Sequence, residues 1–235
     1  MNKVNETKWG GMKLTIKQIS EEINKDRNFS GAVIDFDQRD VDVKLVDLSK
    51  SNFKYATLKK LKAKRANFSD SNFEGAELDG CNFELAELLR TNMSNTKIKN
   101  SIFEKANMEG VNLQNSIVGI PVSSNFKSTG HKSNVDFTGC ILDHANMENS
   151  QFGLVSFNNS HMHDVQASGS IFYLSNLSGV NLNRCNFTAS IFDSVKLNNM
   201  ELFDVNFDNA VFKNMFSKNP YIEITFKDRV KIINF

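Results

Sequence analysis

The side chains with the clearest potential for chemistry are four histidines, two of which flank a single residue. His161 and His163 lie on either side of Met162, and Asp143 and Asp164 are near in sequence. Residues two apart in an extended strand point to the same face, so both imidazoles are predicted to face outward. The pair could hold a metal ion weakly, but the spacing lacks the remaining ligands of a defined zinc site. We therefore predict surface histidines, with no metal and no other cofactor.

The cysteines also have reactive side chains, and the chain has three of them: Cys81, Cys140 and Cys185. An odd, sparse set does not form a disulfide framework, and small buried thiols are predicted instead. The sequence contains no glycine-rich phosphate loop, nucleophile elbow or Cys–His nucleophile pair. It therefore predicts a protein that is not an enzyme.

Charge and hydropathy limit the class of partner. The 235 residues carry a formal net charge of +1, which does not favour direct nucleic-acid binding. The N-terminus has no apolar signal-peptide segment, and no apolar run is long enough to span a membrane. We expect a cytoplasmic protein, with secretion by a signal-peptide-independent route left open. The stretch before Met12 could be encoded by a ribosome-binding sequence, which suggests an alternative start there and disorder over residues 1–11.

An apolar residue recurs every fifth position, and this period organises the chain. From Val43 to Val118 the period holds for 16 consecutive apolar centres, and from Phe137 to Phe212 for 16 more. Thirteen of the 20 Phe residues are centres. A small or apolar residue stands two positions before each centre, and all three cysteines fall in that slot. A period of five fits neither an α-helix nor a flat strand, so the chain must turn a corner in every five-residue word.

The words resemble those of the pentapeptide-repeat family, whose pattern is small residue, Asp or Asn, Leu or Phe, polar, any. The pattern shows in pairs such as Asn67-Phe68, Asn72-Phe73, Asn82-Phe83, Asn112-Leu113, Asn181-Leu182, Asn186-Phe187 and Asn206-Phe207. The resemblance implies an all-β fold, a right-handed quadrilateral β-helix of about 8 coils with four words in each coil.

A coil of 20 residues predicts which side chains stack. Asn52, Asn72, Asn92 and Asn112 share this spacing, as do Asn146, Gln166, Asn186 and Asn206, so two amide ladders are expected. Lys64 and Glu84 are expected to stack as an ion pair of little energetic value.

Three regions depart from the repeat. Near the N-terminus, Ile16, Ile19 and Ile23 follow Thr15 and Gln18, which predicts a short capped helix covering the first coil. The predicted organisation is an N-terminal cap with a short helix and an irregular first coil (1–40), a first repeat half (41–118), a loop or degenerate coil (119–134), a second repeat half (135–215) and a C-terminal β cap or dimerisation tail (216–235).

Two candidate interaction sites follow. The first is a projecting loop, represented by Asn125, Phe126, Lys127, His131 and Lys132, because loops on rigid scaffolds often carry binding. The second is an apolar stripe of Ile171, Ile191 and Val211, which occupy the slot where Asn or Asp is usual. An exposed apolar stripe marks an interface or something that covers it, here a partner chain or the C-terminal tail, whereas β-branched residues could equally suit a strand surface.

The function hypotheses differ in their partner. The first is a scaffold that binds another protein, and the family resemblance also implies a homodimer through the C-terminal tail. The second, implied by the family resemblance, is a DNA mimic that modulates DNA gyrase or topoisomerase IV and gives quinolone or toxin resistance. Residues 135–215 carry eight acids and three bases, which gives this hypothesis modest support. The third is a secreted bacterial effector that docks a host protein.

Overall fold

The computed structural model describes residues 3–35, 46–121, 134–215 and 231–233. The chain forms a right-handed quadrilateral β-helix of about 8 turns with one small helix near the N-terminus, as predicted. A 3-10 turn, Lys3–Glu6, precedes helix α1, Ile16–Ile23. The strands are β1 Val33–Asp35, β2 Thr57–Lys59, β3 Glu77–Asp79, β4 Lys97–Lys99, β5 Ile117–Gly119, β6 Val135–Asp136, β7 Gln151–Gly153, β8 Val155–Ser156, β9 His161–His163, β10 Ile171–Tyr173, β11 Asn181–Asn183, β12 Ile191–Asp193, β13 Glu201–Phe203, β14 Val211–Lys213 and β15 Lys231–Ile233.

Each word ends in a corner where one residue has positive φ. Examples are Arg65 at 58°, Asp70 at 60° and Leu85 at 59°. This conformation costs an L-residue roughly 1–2 kcal/mol. Hydrogen bonds between coils compensate, as where the Phe68 backbone N–H donates to the Glu87 carbonyl at 2.7 Å.

The apolar centres form the core, and every described centre except Leu202 is buried. The phenylalanines stack along the rod, with ring centroids of Phe152, Phe172, Phe192 and Phe212 separated in turn by 5.0, 5.1 and 4.7 Å. One structural slot is therefore reused, in line with the thirteen of 20 Phe residues that are apolar centres.

Side chains in the small slot, two positions before each centre, donate hydrogen bonds to backbone carbonyls inside the rod. The Ser71 hydroxyl donates to the Leu48 carbonyl at 2.9 Å, and the Cys185 thiol donates to the Met162 carbonyl at 2.7 Å. All three cysteines are free and buried, which confirms the predicted buried thiols. Serine and cysteine thus make the same contact in this slot.

Burial of the Cys185 thiol predicts a loss of stability at alkaline pH. Desolvation raises the pKa of this thiol from 9.0 to about 11. The stability contributed by the buried neutral thiol is fully present below pH 9. It declines as the pH rises from 9 toward 11, because only the unfolded thiol ionises in that window. Above pH 9 the free energy of unfolding should fall by about 1.4 kcal/mol per pH unit relative to Cys185→Ser. Urea unfolding under reducing conditions at pH 7, 9 and 10 checks this, and parallel pH profiles for the two proteins would contradict it.

The predicted amide ladders are confirmed, and they form one continuous column. Parallel bridges join Asn112 directly to Asn146 across the second departure from the repeat, and Asn28 begins the column below Asn52. Neighbouring side chains bond, as where Asn52 Nδ2 donates to Asn28 Oδ1 at 3.2 Å. The step from Asn112 to Asn146 is longer than an ordinary coil, so additional residues are inserted at one corner of the rod.

The N-terminal segment packs on the first coil, and at the C-terminal end the ten-stranded sheet gains one more strand. The predicted capping box is confirmed, since Gln18 N–H donates to Thr15 Oγ1 at 3.3 Å and Thr15 N–H donates to Gln18 Oε1 at 2.9 Å. The suggestion of disorder over residues 1–11 is wrong for residues 3–11, because Trp9 packs against the core and its Nε1 donates to the Asn28 carbonyl at 2.7 Å. At the other end, β15 pairs with β14, with Lys231 opposite Val211.

Candidate protein-binding face

The outer surface of the ten-stranded sheet β1-β2-β3-β4-β5-β7-β10-β12-β14-β15, here called the first face, carries the predicted stripe. Ile171 pairs directly with Ile191, and Ile191 with Val211. Their neighbours in each strand, Phe172 among them, point into the core. The three aliphatic side chains therefore lie one above another on the outside of the rod, each partly exposed.

The apolar surface is wider than the sequence indicated. Ile117 belongs to the same column, separated from Ile171 by Gln151. Tyr173 lies in the adjacent outward column, and Leu174 follows it at the corner with a φ of 51°. On the opposite side the neighbouring corner column is uncharged and exposed, and it consists of Asn149, Gly169, Ala189 and Asn209. The first face of the second half thus presents an apolar strip beside a neutral polar margin.

The chain leaves the helix at the border of this face. Ile120 N–H donates to the Gly153 carbonyl at 3.0 Å, and after the insertion Asn134 N–H donates to the Leu154 carbonyl at 2.7 Å. Gly119 and Gly153 allow this close approach, since a Cβ on Gly153 would lie 2.1 Å from the Ile120 oxygen. Leu154, an outward corner residue, is only 7% exposed.

The insertion therefore leaves the rod at the border of the first face that carries Gly153 and Leu154, whereas the stripe lies in the outward column at the other side of that face. The candidate loop residues Asn125, Phe126, Lys127, His131 and Lys132 lie outside the described residues, whereas both attachment points of the insertion are described. Sequence reasoning missed Ile117, Tyr173, Leu154 and Leu174. The spacing of Leu154 and Leu174 by one coil was the available signal for two of them.

Most charged columns of the rod are neutralised between coils, including one on the first face itself, where Asp193 pairs with Lys213 beside the stripe. Lys64 and Glu84 pair at 2.6 Å, which confirms the predicted contact. The hydrogen bond that Arg90 donates to Asp70 holds the pKa of the Asp70 carboxyl below its usual value. Other pairs that join neighbouring coils are Lys54–Glu74, Glu77–Lys97, Asp79–Lys99 and Asp164–Arg184.

An open cleft of about 530 Å³ lies between the N-terminal segment and the first coil. Two lysines that line the cleft are already paired: Lys8 with Glu22 at 2.8 Å and Lys54 with Glu74 at 2.8 Å. Both amines are held by carboxylates, so the cleft is a weaker candidate than the first face.

Comparison with known proteins identifies the repeat. The family model for pentapeptide repeats matches in eight copies, over residues 47–84, 66–104, 78–115, 133–172 and 170–214. A search of the curated proteins with this sequence gave no match. None of the helices in the described ranges is long and apolar enough to cross a membrane.

Three solved structures share the fold. QnrB1, a plasmid-mediated fluoroquinolone resistance protein, is 12% identical, with a TM-score of 0.42 and coverage of 85% of this chain and 88% of QnrB1. HetL, a pentapeptide repeat protein involved in heterocyst differentiation regulation in the cyanobacterium Nostoc sp. strain PCC 7120, is 13% identical, with a TM-score of 0.30 and coverage of 85% and 97%. Rfr23 from the cyanobacterium Cyanothece 51142 is 18% identical, with a TM-score of 0.30 and coverage of 83% and 100%. At these identities the likeness concerns the fold alone.

Proposed function

Because the chain belongs to the pentapeptide-repeat family, we propose that it is a non-enzymatic β-helical scaffold that binds another protein through the first face of its second half. The observation that carries this proposal is the direct stacking of Ile171, Ile191 and Val211 on the outside of one sheet. A stripe of partly exposed aliphatic side chains in successive coils is a surface that a protein partner can bury.

The energy available to such a partner comes mainly from apolar contact. Full burial of an aliphatic side chain contributes roughly 1.5–3 kcal/mol. Most of that gain is offset by the cost of association, so several side chains must act together. Tyr173 and Leu174 extend the apolar area beside the stripe, and aromatic side chains such as Tyr are enriched in interface cores. The corner column on one side of the stripe is uncharged, and Asp193 on the other side is paired with Lys213, which supports a contact that depends little on salt.

An aspartate at the centre of the stripe tests the proposal. We expect Ile191→Asp to weaken partner binding by at least about 10-fold, because a carboxylate would be desolvated against apolar groups. The matched control is Asn176→Asp, which places the same charge in the second slot of another face, where Asp136 stands two coils earlier. Proteins captured from the native cytoplasm by the parent chain should be lost with Ile191→Asp and kept with Asn176→Asp, and the purified partner should then reproduce the difference. Equal binding by both variants would refute the assignment of this face.

A DNA-mimicking modulator of DNA gyrase or topoisomerase IV is the second hypothesis. It rests on the net charge of −5 over residues 135–215, from eight acids and three bases. The ion pairs Asp164–Arg184 and Asp193–Lys213 interrupt the acidic surface and weigh against it. A gyrase supercoiling assay with and without a quinolone separates the two hypotheses, since a change at micromolar protein would favour the second.

A further inference from the structure

Two buried polar atoms on neighbouring strands have no hydrogen-bond partner. They are His163 Nε2 and Asn183 Oδ1, which belong to a set of three such atoms in the described part of the chain, the other being Ser51 Oγ. His163 in β9 pairs with Asn183 in β11, so the two side chains stack on one outer face. A buried polar atom left unpaired is costly, and an ion or water is one way to satisfy it.

A carboxylate in the coil below lies beside the His163 ring. Asp143 is fixed to the strand, since the His163 backbone N–H donates to its Oδ1 at 2.9 Å. Its other oxygen, Oδ2, lies 3.7 Å from His163 Nδ1. In metal sites a carboxylate at one imidazole nitrogen sets the tautomer and leaves the other nitrogen to the metal. Here the nitrogen left over is Nε2, the atom without a partner.

His161 provides a second imidazole on the same face. It is exposed, and its ring centroid lies 6.3 Å from that of His163 with an interplanar angle of 59°. A zinc ion lies about 2.0–2.1 Å from each imidazole nitrogen that it binds, so the exposed His161 ring must turn toward His163 to share one. The sequence indicated this pair but no further ligands, because Asp143 and Asn183 reach it only through the stacking of successive coils.

We propose that this cluster binds a divalent transition-metal ion through His163 Nε2, an imidazole nitrogen of His161 and Asn183 Oδ1, with Asp143 as a positioning residue. Imidazole ligands suit zinc, copper and nickel. Within the described ranges no three His, Cys, Asp or Glu side chains converge on one point, so an amide oxygen and water must complete the coordination.

Calorimetric titration of the full chain with Zn²⁺ tests the site. We expect His163→Ala and His161→Ala each to weaken binding by at least about 10-fold, and Asp143→Asn to weaken it by about 10- to 100-fold. His144→Ala is the matched control, since His144 lies at the neighbouring corner against Asp164, 3.7 Å away, and it should bind like the parent chain. Circular dichroism confirms that each variant folds. The absorption spectrum of bound Co²⁺ reports imidazole coordination without relying on the calorimetric heat of binding. No saturable binding by the parent chain, or an equal loss in His144→Ala, would overturn the proposal.

Discussion

Replacing Phe172 by alanine is expected to lower the free energy of unfolding by about 3–5 kcal/mol. The ring is fully buried and stacks between Phe152 and Phe192 at centroid distances of 5.0 and 5.1 Å. It also contacts Phe187 edge-on at 5.9 Å, so the substitution opens a cavity shared by two faces of the rod. Urea unfolding followed by circular dichroism measures the change.

The adjacent residue supplies the control for this substitution. Ile171 has the same strand environment, but its side chain lies on the outside and is partly exposed. Ile171→Ala should therefore cost far less, within about 1 kcal/mol. Similar losses for the two variants would contradict the inward and outward assignment on which the first face depends.

Replacing Gly153 by alanine is expected to destabilise the protein by about 3 kcal/mol, at the upper end of the usual cost of overpacking. The new Cβ would lie 2.1 Å from the Ile120 carbonyl oxygen and 2.9 Å from Ile120 Cγ1. A backbone oxygen cannot move aside as a flexible side chain can. The hydrogen bond of 3.0 Å from Ile120 N–H to the Gly153 carbonyl, where the chain leaves the helix, should therefore break.

Gly80→Ala separates this clash from the general cost of losing a glycine. Gly80 has a φ of +68°, which alone costs an alanine about 1–2 kcal/mol, but its Cβ would meet Lys60 Cγ at an ordinary 3.5 Å. The rate of hydrogen exchange at the backbone amides of Ile120 and Asn134 should increase in Gly153→Ala and stay unchanged in Gly80→Ala. A smaller loss of stability in Gly153→Ala than in Gly80→Ala would show that the corner adapts freely.

The period of five predicted most of the fold because each word is a complete structural unit. An apolar centre such as Phe68 must point inward, and the small residue two positions earlier, such as Ala66, must point the same way, so burial follows from position alone. The stacking of Lys64 on Glu84 followed from the four-word coil in the same way. The helix at the N-terminus could be predicted from the sequence because Thr15 and Gln18 form a local capping signal.

The candidate site was less predictable where the frame breaks. Across the insertion Ile117 pairs with Gln151, a register that no local signal specifies, so Ile117 could not be assigned to the stripe from sequence. The first coil is likewise longer than a regular one, since Asn28 pairs with Asn52. The stripe itself was found because Ile171, Ile191 and Val211 lie in unbroken repeats, whereas its role as an interface remains a prediction.

Site-specific photo-crosslinking in the protein's native cell tests the central claim most directly. A photoreactive amino acid is placed at Ile191 on the first face, and at Asn176 and Asn181 on the other faces as controls. We predict that one partner protein is captured from position 191 and that little or none is captured from positions 176 and 181. Equal capture from all three positions, or capture only from positions 176 and 181, would contradict binding through the apolar stripe.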